Sequence, residues 1–370
     1  MSEHPYKNLP NYCFWGRAHS IGSMEEVDPV VSAPFRIEGS ERVATAGSCF
    51  AQHIAKHLNA FGYNYMVTEE AHPLIPPDVA RQHNYGIFTA RYGNLYTPRQ
   101  LLQLFKRAYG LFKPVDDVWI DADGRYIDPY RPAIEPRGFG SNREFEIDRD
   151  RHFAAVREAF EQSNVFVFTF GLTETFINAA DGAVYPVAPG VAGGEFDPKK
   201  HVFKNFTVQE VTADFLEFID LVRAKNPSVK FIITVSPVPL VATAEDRSVI
   251  TSTVYSKAVL RVACDEISKA RSNVAYFPSF EIVTGNYTRG EYFADDLRSV
   301  TEAGVEHVMK IFMRHFAEPD TGEKKRRPGR LRRRGVGVAE FEEVERALEL
   351  ICEEELLDKN SSRKESAQTN

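Results

Sequence analysis

Hydrophobic residues along this chain fall into two kinds of run. Asn164-Val-Phe-Val-Phe-Thr-Phe170 and Val229-Lys-Phe-Ile-Ile-Thr-Val235 are nearly unbroken stretches of β-branched and aromatic residues. Such runs belong to strands buried on both faces of a parallel sheet. Two shorter runs, Arg42-Val-Ala-Thr-Ala46 and Val274-Ala-Tyr-Phe277, read the same way. Between them the apolar spacing changes to that of helices. Phe50, Ile54, Leu58 and Phe61 form a stripe over 49–61,. Further helices are predicted over 97–109, opened by Thr97 as a cap with Pro98 behind it, and over 147–162, 207–225, 254–271 and 301–315,. Strands alternating with amphipathic helices predict an α/β fold, a parallel sheet with helices on both faces. Residues 1–40 read as an arm over the core, and 62–97 as a long irregular stretch.

Composition adds little to this picture but excludes several classes. The 370 residues are 43% hydrophobic and 26% charged, with a net charge of −7, ordinary for a globular protein and contrary to an electrostatic nucleic-acid binder,. Cys13, Cys49, Cys264 and Cys352 lie far apart without a CxxC pair or zinc spacing, so reduced thiols and no metal are expected,. The N-terminal stretch lacks the apolar centre of a signal peptide, and no run of about 18 apolar residues suggests a membrane span,. A soluble cytoplasmic protein is expected. No glycine-rich phosphate loop follows the first strand, and no cofactor is called for.

The tail changes character. Eight basic residues lie between Lys324 and Arg334, around Pro328 and Gly329. The segment 321–337 reads as a solvated linker, with contact to nucleic acid or anionic lipid as the other reading. Residues 338–370 read as an acidic amphipathic helix and a polar, disordered end, which leaves 1–320 as the folded domain.

Ligands of an open α/β sheet bind outside the carboxyl ends of its strands. There the chain carries Gly47-Ser48-Cys49, Gly171-Leu172-Thr173-Glu174, Ser236-Pro237-Val238 and Pro278-Ser279-Phe280-Glu281, four ends that can line one crevice. Cys49 is the most reactive type among them. At a helix start, backbone N–H groups and the helix dipole favour its thiolate and can hold an acyl oxyanion. It can equally be a small buried core residue. Ser48 is open to two readings, nucleophile or helix cap.

Ala46-Gly-Ser-Cys-Phe-Ala51 resembles the motif that names the GSCFA family. The likeness extends through Tyr92-Gly-Asn-Leu-Tyr96, Phe170-Gly-Leu-Thr-Glu174, Thr234-Val-Ser-Pro-Val238, Tyr255-Ser-Lys257 and Tyr292-Phe-Ala-Asp-Asp-Leu297. The family is grouped with the SGNH, or GDSL-like, hydrolases, which implies a three-layer αβα sandwich, flavodoxin-like, and acyl removal or transfer, often on carbohydrates. Laid on that superfamily's blocks, Cys49 takes the place of the nucleophilic serine and Ser48 that of the aspartate. Gly93, with Asn94 after it, takes the second-block glycine that helps build the oxyanion hole. Thr173 replaces the third-block asparagine and Glu174 follows it. The last block, Asp-x-x-His, reads Asp296-Leu297-Arg298-Ser299, so the usual base is missing. His307, His201 and His83 are the histidines that can supply one, while Glu174 and Asp296 are candidate orienting carboxylates or helix caps. The reading that results is a hydrolase or acyltransferase on an acylated glycan or small molecule. Its rival is a binding protein that keeps the pocket without the chemistry.

Overall fold

The computed structural model of this chain describes residues 4–18, 23–318 and Leu357. Apart from Leu357, the expected basic linker and acidic helix, with Cys352, lie outside the described residues. After a short N-terminal turn, α1 (Trp15–Ala18), the chain runs β1 (Arg42–Gly47), α2 (Phe50–Ala60), β2 (Asn64–Tyr65), α3 (Pro77–Gln82) and α4 (Pro98–Ala108). A small hairpin, β3 (Trp119–Ile120) and β4 (Tyr126–Ile127), leads to α5 (Asn142–Gln162) and β5 (Val165–Phe170). Then come β6 (Glu174–Asn178), β7 (Val184–Tyr185), β8 (His201–Asn205), α6 (Val208–Lys225), β9 (Lys230–Val235) and α7 (Val249–Ala270). The described core closes with β10 (Val274–Tyr276), α8 (Ser279–Thr284) and α9 (Glu302–Phe316).

The main sheet has five parallel strands in the order β10-β9-β5-β1-β2. Counted along the chain that is 2-1-3-4-5, the flavodoxin-like order, whose switch point lies between β1 and β5. Helices cover both faces, as the unalternated strands require. On one face Ala44 and Ala46 of β1, Phe166, Phe168 and Phe170 of β5, and Phe231 of β9 pack under α4, α5, α6 and α7. On the other, Val43, Val165, Val167 and Ile232 pack under α2, α8 and α9. β1 sets alanines directly opposite the β5 phenylalanines, Ala44 against Phe166 and Ala46 against Phe168. The small side chains leave room for the large rings, and each buried ring stabilises the core by roughly 1.5–3 kcal/mol.

Several boundaries move for local reasons. The predicted helix 147–162 begins at Asn142, because Ser141 accepts the Glu144 N–H at 3.2 Å and Phe145 buries in a small cluster of its own. The predicted helix 254–271 begins at Val249, capped by Ser248, although Ile250 and Val254 are exposed and break the stripe. The Thr97 cap forms with its reciprocal partner: Thr97 Oγ1 accepts Gln100 N–H, and Gln100 Oε1 accepts Thr97 N–H. The stretch 62–97 contains two short elements, β2 and α3. The three-stranded sheet β7-β6-β8 was not legible as strands.

Candidate active site

The first strand decides the position of Cys49. Gly47 ends β1 at φ +137°, and a Cβ there would lie 2.5 Å from Thr169 O on β5. Only glycine lets the two backbones approach so closely at the switch point. The chain then turns into α2: Ser48 N–H donates to Thr169 O at 3.3 Å, and Ser48 O accepts Ala51 N–H at 2.9 Å. Cys49 has helical backbone angles and stands half-buried at the first turn. Ser48 is buried, and its Oγ makes no hydrogen bond to a described residue, so it does not cap the helix through its side chain.

Ser48 and Cys49 lie on the wall of a narrow, partly open cleft with Tyr96, Gly171, Leu172 and Lys257, and with Ser236, Val238, Pro239 and Leu240 from the loop after β9. Three strand ends therefore meet there. The fourth does not. Ser279, after β10, is buried against Thr234 at 2.6 Å, and Glu281 pairs with Arg261 and the Tyr276 hydroxyl. The segment 92–96 bridges β1 and β5: Leu95 N–H donates to Gly47 O, and Tyr96 O accepts the Gly171 N–H at 2.8 Å.

Lys257, part of the Tyr255-Ser-Lys257 motif but without a role assigned from sequence, also reaches the cleft. Its side chain crosses from α7 into the cleft, 3% exposed, and Nζ donates to Gly171 O at 2.6 Å. Beside it Ser256 Oγ accepts the Thr173 N–H. Tyr255-Ser-Lys257 thus pins the loop after β5. A lysine at a buried position of a predicted helix was the available signal.

Other candidates are differently placed. Thr173 is fully buried and its hydroxyl donates to Asn205 Oδ1 at 2.6 Å, so it is not presented as an oxyanion donor. Glu174 accepts the Thr243 hydroxyl at 2.8 Å and braces the loop that follows the cleft residues. Gly93 takes a left-handed turn at φ +67° in the bridging segment, and Asn94 is buried next to it; neither lines the cleft. Asp296 accepts the Arg298 and Ser299 amides at 2.9 Å and the Ser299 hydroxyl at 2.6 Å. Partial burial pushes its carboxyl up, but those donors outweigh it and hold the pKa below the usual value. The same turn reaches the cleft through Arg298, whose Nε donates to Pro239 O.

Among the described residues no histidine lines the cleft. His307 is buried in α9 with Nδ1 2.8 Å from the Tyr292 hydroxyl, and burial lowers its pKa. His201 Nδ1 accepts the Asp197 amide, and His83 Nδ1 lies 2.8 Å from Glu135. Among the described residues no group of three or more side chains suits a metal, and no helix is long and apolar enough to cross a membrane.

The model of the GSCFA family matches residues 42–312, from the start of β1 into α9. The chain belongs to the GSCFA family. No curated protein matches it. Among solved structures it is similar to an acetyl xylan esterase, Est2A, from the rumen bacterium Butyrivibrio proteoclasticus, at 11% identity and a TM-score of 0.27. That likeness covers 74% of this chain and 64% of the esterase, so the GSCFA chain spans under two thirds of that protein's length. The GSCFA letters themselves have a physical reading here. Glycine permits the close strand approach, cysteine takes the helix start, and Phe50 and Ala51 bury behind it.

Proposed function

We propose that this GSCFA protein is an SGNH-like hydrolase or acyltransferase in which Cys49 attacks the acyl carbonyl of an acylated carbohydrate or other small molecule. The observation that carries the reading is the half-buried thiol at the first turn of α2, on the wall of a cleft bounded by three strand ends. A helix start favours the thiolate, and the Lys257 ammonium on the same wall adds positive potential. In the attack the Sγ–C bond forms while the carbonyl electron pair moves to oxygen, where a backbone N–H at the start of α2, other than the Ala51 and Gln52 amides already bonded to Ser48 O and Cys49 O, stabilises it,. Collapse expels the alcohol, with Lys257 as candidate proton donor, and water or a second hydroxyl then takes the acyl group from sulfur. Gly93, which the family resemblance implies as a second oxyanion donor, does not line the cleft and is given no role in this step. The carbohydrate carrier rests on that resemblance alone.

The test is turnover of an activated acetyl ester. Cys49→Ala abolishes it with the melting temperature nearly unchanged, and Cys49→Ser retains a trace. An essential Ser48 with a replaceable Cys49 moves the nucleophile to serine. A second reading, a binding protein without turnover, is favoured by the Asp296–Ser299 pair standing where the superfamily has its histidine. It gains if neither Cys49→Ala nor Ser48→Ala changes the reaction of any acyl ester tested.

A further inference from the structure

On the far side of the 92–96 segment lies a second, partly open pocket whose walls include Tyr92, Gln103, Arg107, Tyr130 and Arg131. We propose that it is a binding site for a small oxyanion, a carboxylate or phosphate group on a small molecule, held by Arg107 and Arg131. The reason is the state of the two guanidinium groups. A buried arginine has five N–H donors to satisfy, and leaving them unmet is costly.

Arg91, in the same region, shows how this chain satisfies one. At 1% exposure it donates to His83 O, the Tyr85 hydroxyl, Asp148, Ile134 O and Glu135, all within 3.1 Å. Arg131, 3% exposed, donates to Asp128 and Asp148, but its Nη1 has no partner among the described residues. Arg107, 8% exposed, has an ion-pair contact with Asp128 at 4.0 Å, and its Nη2 also lacks a hydrogen-bond partner. Burial is the main cause lowering its pKa, so its charge is under-compensated.

The surroundings narrow the ligand class. Tyr130 lies 4.0 Å from the Arg107 guanidinium carbon and Phe153 5.2 Å, so aromatic rings take the guanidinium faces and leave the in-plane donors. Those donors match a planar or tetrahedral oxyanion, which arginine binds through paired N–H groups. The nearby neutral donors and acceptors are already engaged: Gln103 bridges Gly182 O and the Val184 N–H. Asp128 is bonded to Arg131 Nε and Asp148 to its Nη2, so Arg131 is well compensated, whereas Arg107 has only the 4.0 Å contact with Asp128.

The experiment is thermal denaturation of the full chain in sodium chloride, then with phosphate or acetate replacing chloride at equal ionic strength. Binding raises Tm by about 4 °C when the anion stands about a hundredfold above its dissociation constant. A rise with phosphate alone indicates a phosphate-bearing ligand, with acetate alone a carboxylate; either supports the site. Arg107→Met should remove the increment, and Arg107→Lys, which keeps the charge without the planar fork, should keep less than half of it. No increment in the natural chain overturns the proposal. So does an undiminished one in Arg107→Met, which is the signature of general salt stabilisation. If Arg107→Met does not fold, the natural chain and Arg107→Lys decide between the same outcomes.

Discussion

The cleft at the strand ends and the buried region beneath residues 62–152 solve opposite problems. The cleft is assembled mainly from backbone turns and neutral side chains, with Lys257 as the cation on its wall. The second region buries paired charges, Glu69, Arg91, Asp128, Arg131 and Asp148, with His152 bonded to Glu69, beside its apolar clusters. The difference teaches where each can tolerate change. A thiol at a helix start needs access and potential, whereas a buried ion network needs every partner, since a charge left alone there costs several kcal/mol.

The largest effect is expected in the network. Glu69 accepts the Arg91 amide at 2.8 Å and lies 2.8 Å from His152 Nδ1. Burial pushes its carboxyl up, but His152, Arg131 and the Arg91 amide prevail and hold it down to about 2. Glu69→Gln should destabilise by about 3–5 kcal/mol in chemical denaturation. Because the folded carboxyl is depressed from 4.5, its stabilisation is complete above that pH and fades as pH falls toward about 2,. Burial lowers His152, which adds a loss of the same sign as pH drops below 6.5,. Glu69→Gln should flatten the limb between about 4.5 and 2 in stability measured against pH; an unchanged limb breaks the contrast drawn here.

Next comes thiol reactivity. Cys264 is fully buried in α7, and burial raises its pKa well above the usual thiol value. Iodoacetamide at neutral pH should label Cys49 about a hundredfold faster than Cys264, read by mass spectrometry of the peptides. Equal rates would deny the cleft its special character.

A smaller effect tests Lys257. Lys257→Met should slow alkylation of Cys49 at pH 7 by about tenfold and move the pH midpoint of labelling up by about one unit, as loss of a neighbouring cation does. A midpoint that stays put assigns Lys257 to bracing Gly171 alone.

The smallest concerns Ser48, whose hydroxyl is buried without a hydrogen-bond partner among the described residues. Ser48→Ala removes an unsatisfied group and should change stability by less than about 0.5 kcal/mol, in either direction. A loss above about 1 kcal/mol in denaturant melts would mean that Ser48 supports the turn after all.

The sequence by itself determined the layered α/β fold, the strands β1, β5, β9 and β10, and Cys49 at a strand-to-helix turn. Those features are local or periodic: unbroken apolar runs, a helical stripe, and a glycine where two backbones must meet. Tertiary structure alone decided which strand ends share the cleft and which groups remain available in it. Thr173 looked like an oxyanion donor until Asn205, 32 residues on, accepted its hydroxyl. His307 looked like a nearby base until Tyr292 engaged its ring. Lys257 gained its place because α7 packs across β9 and aims it at Gly171, just past the end of β5 and 86 residues earlier. Hydrogen-bond partners distant in sequence are chosen by packing, and a residue's chemistry depends on which partner it finds.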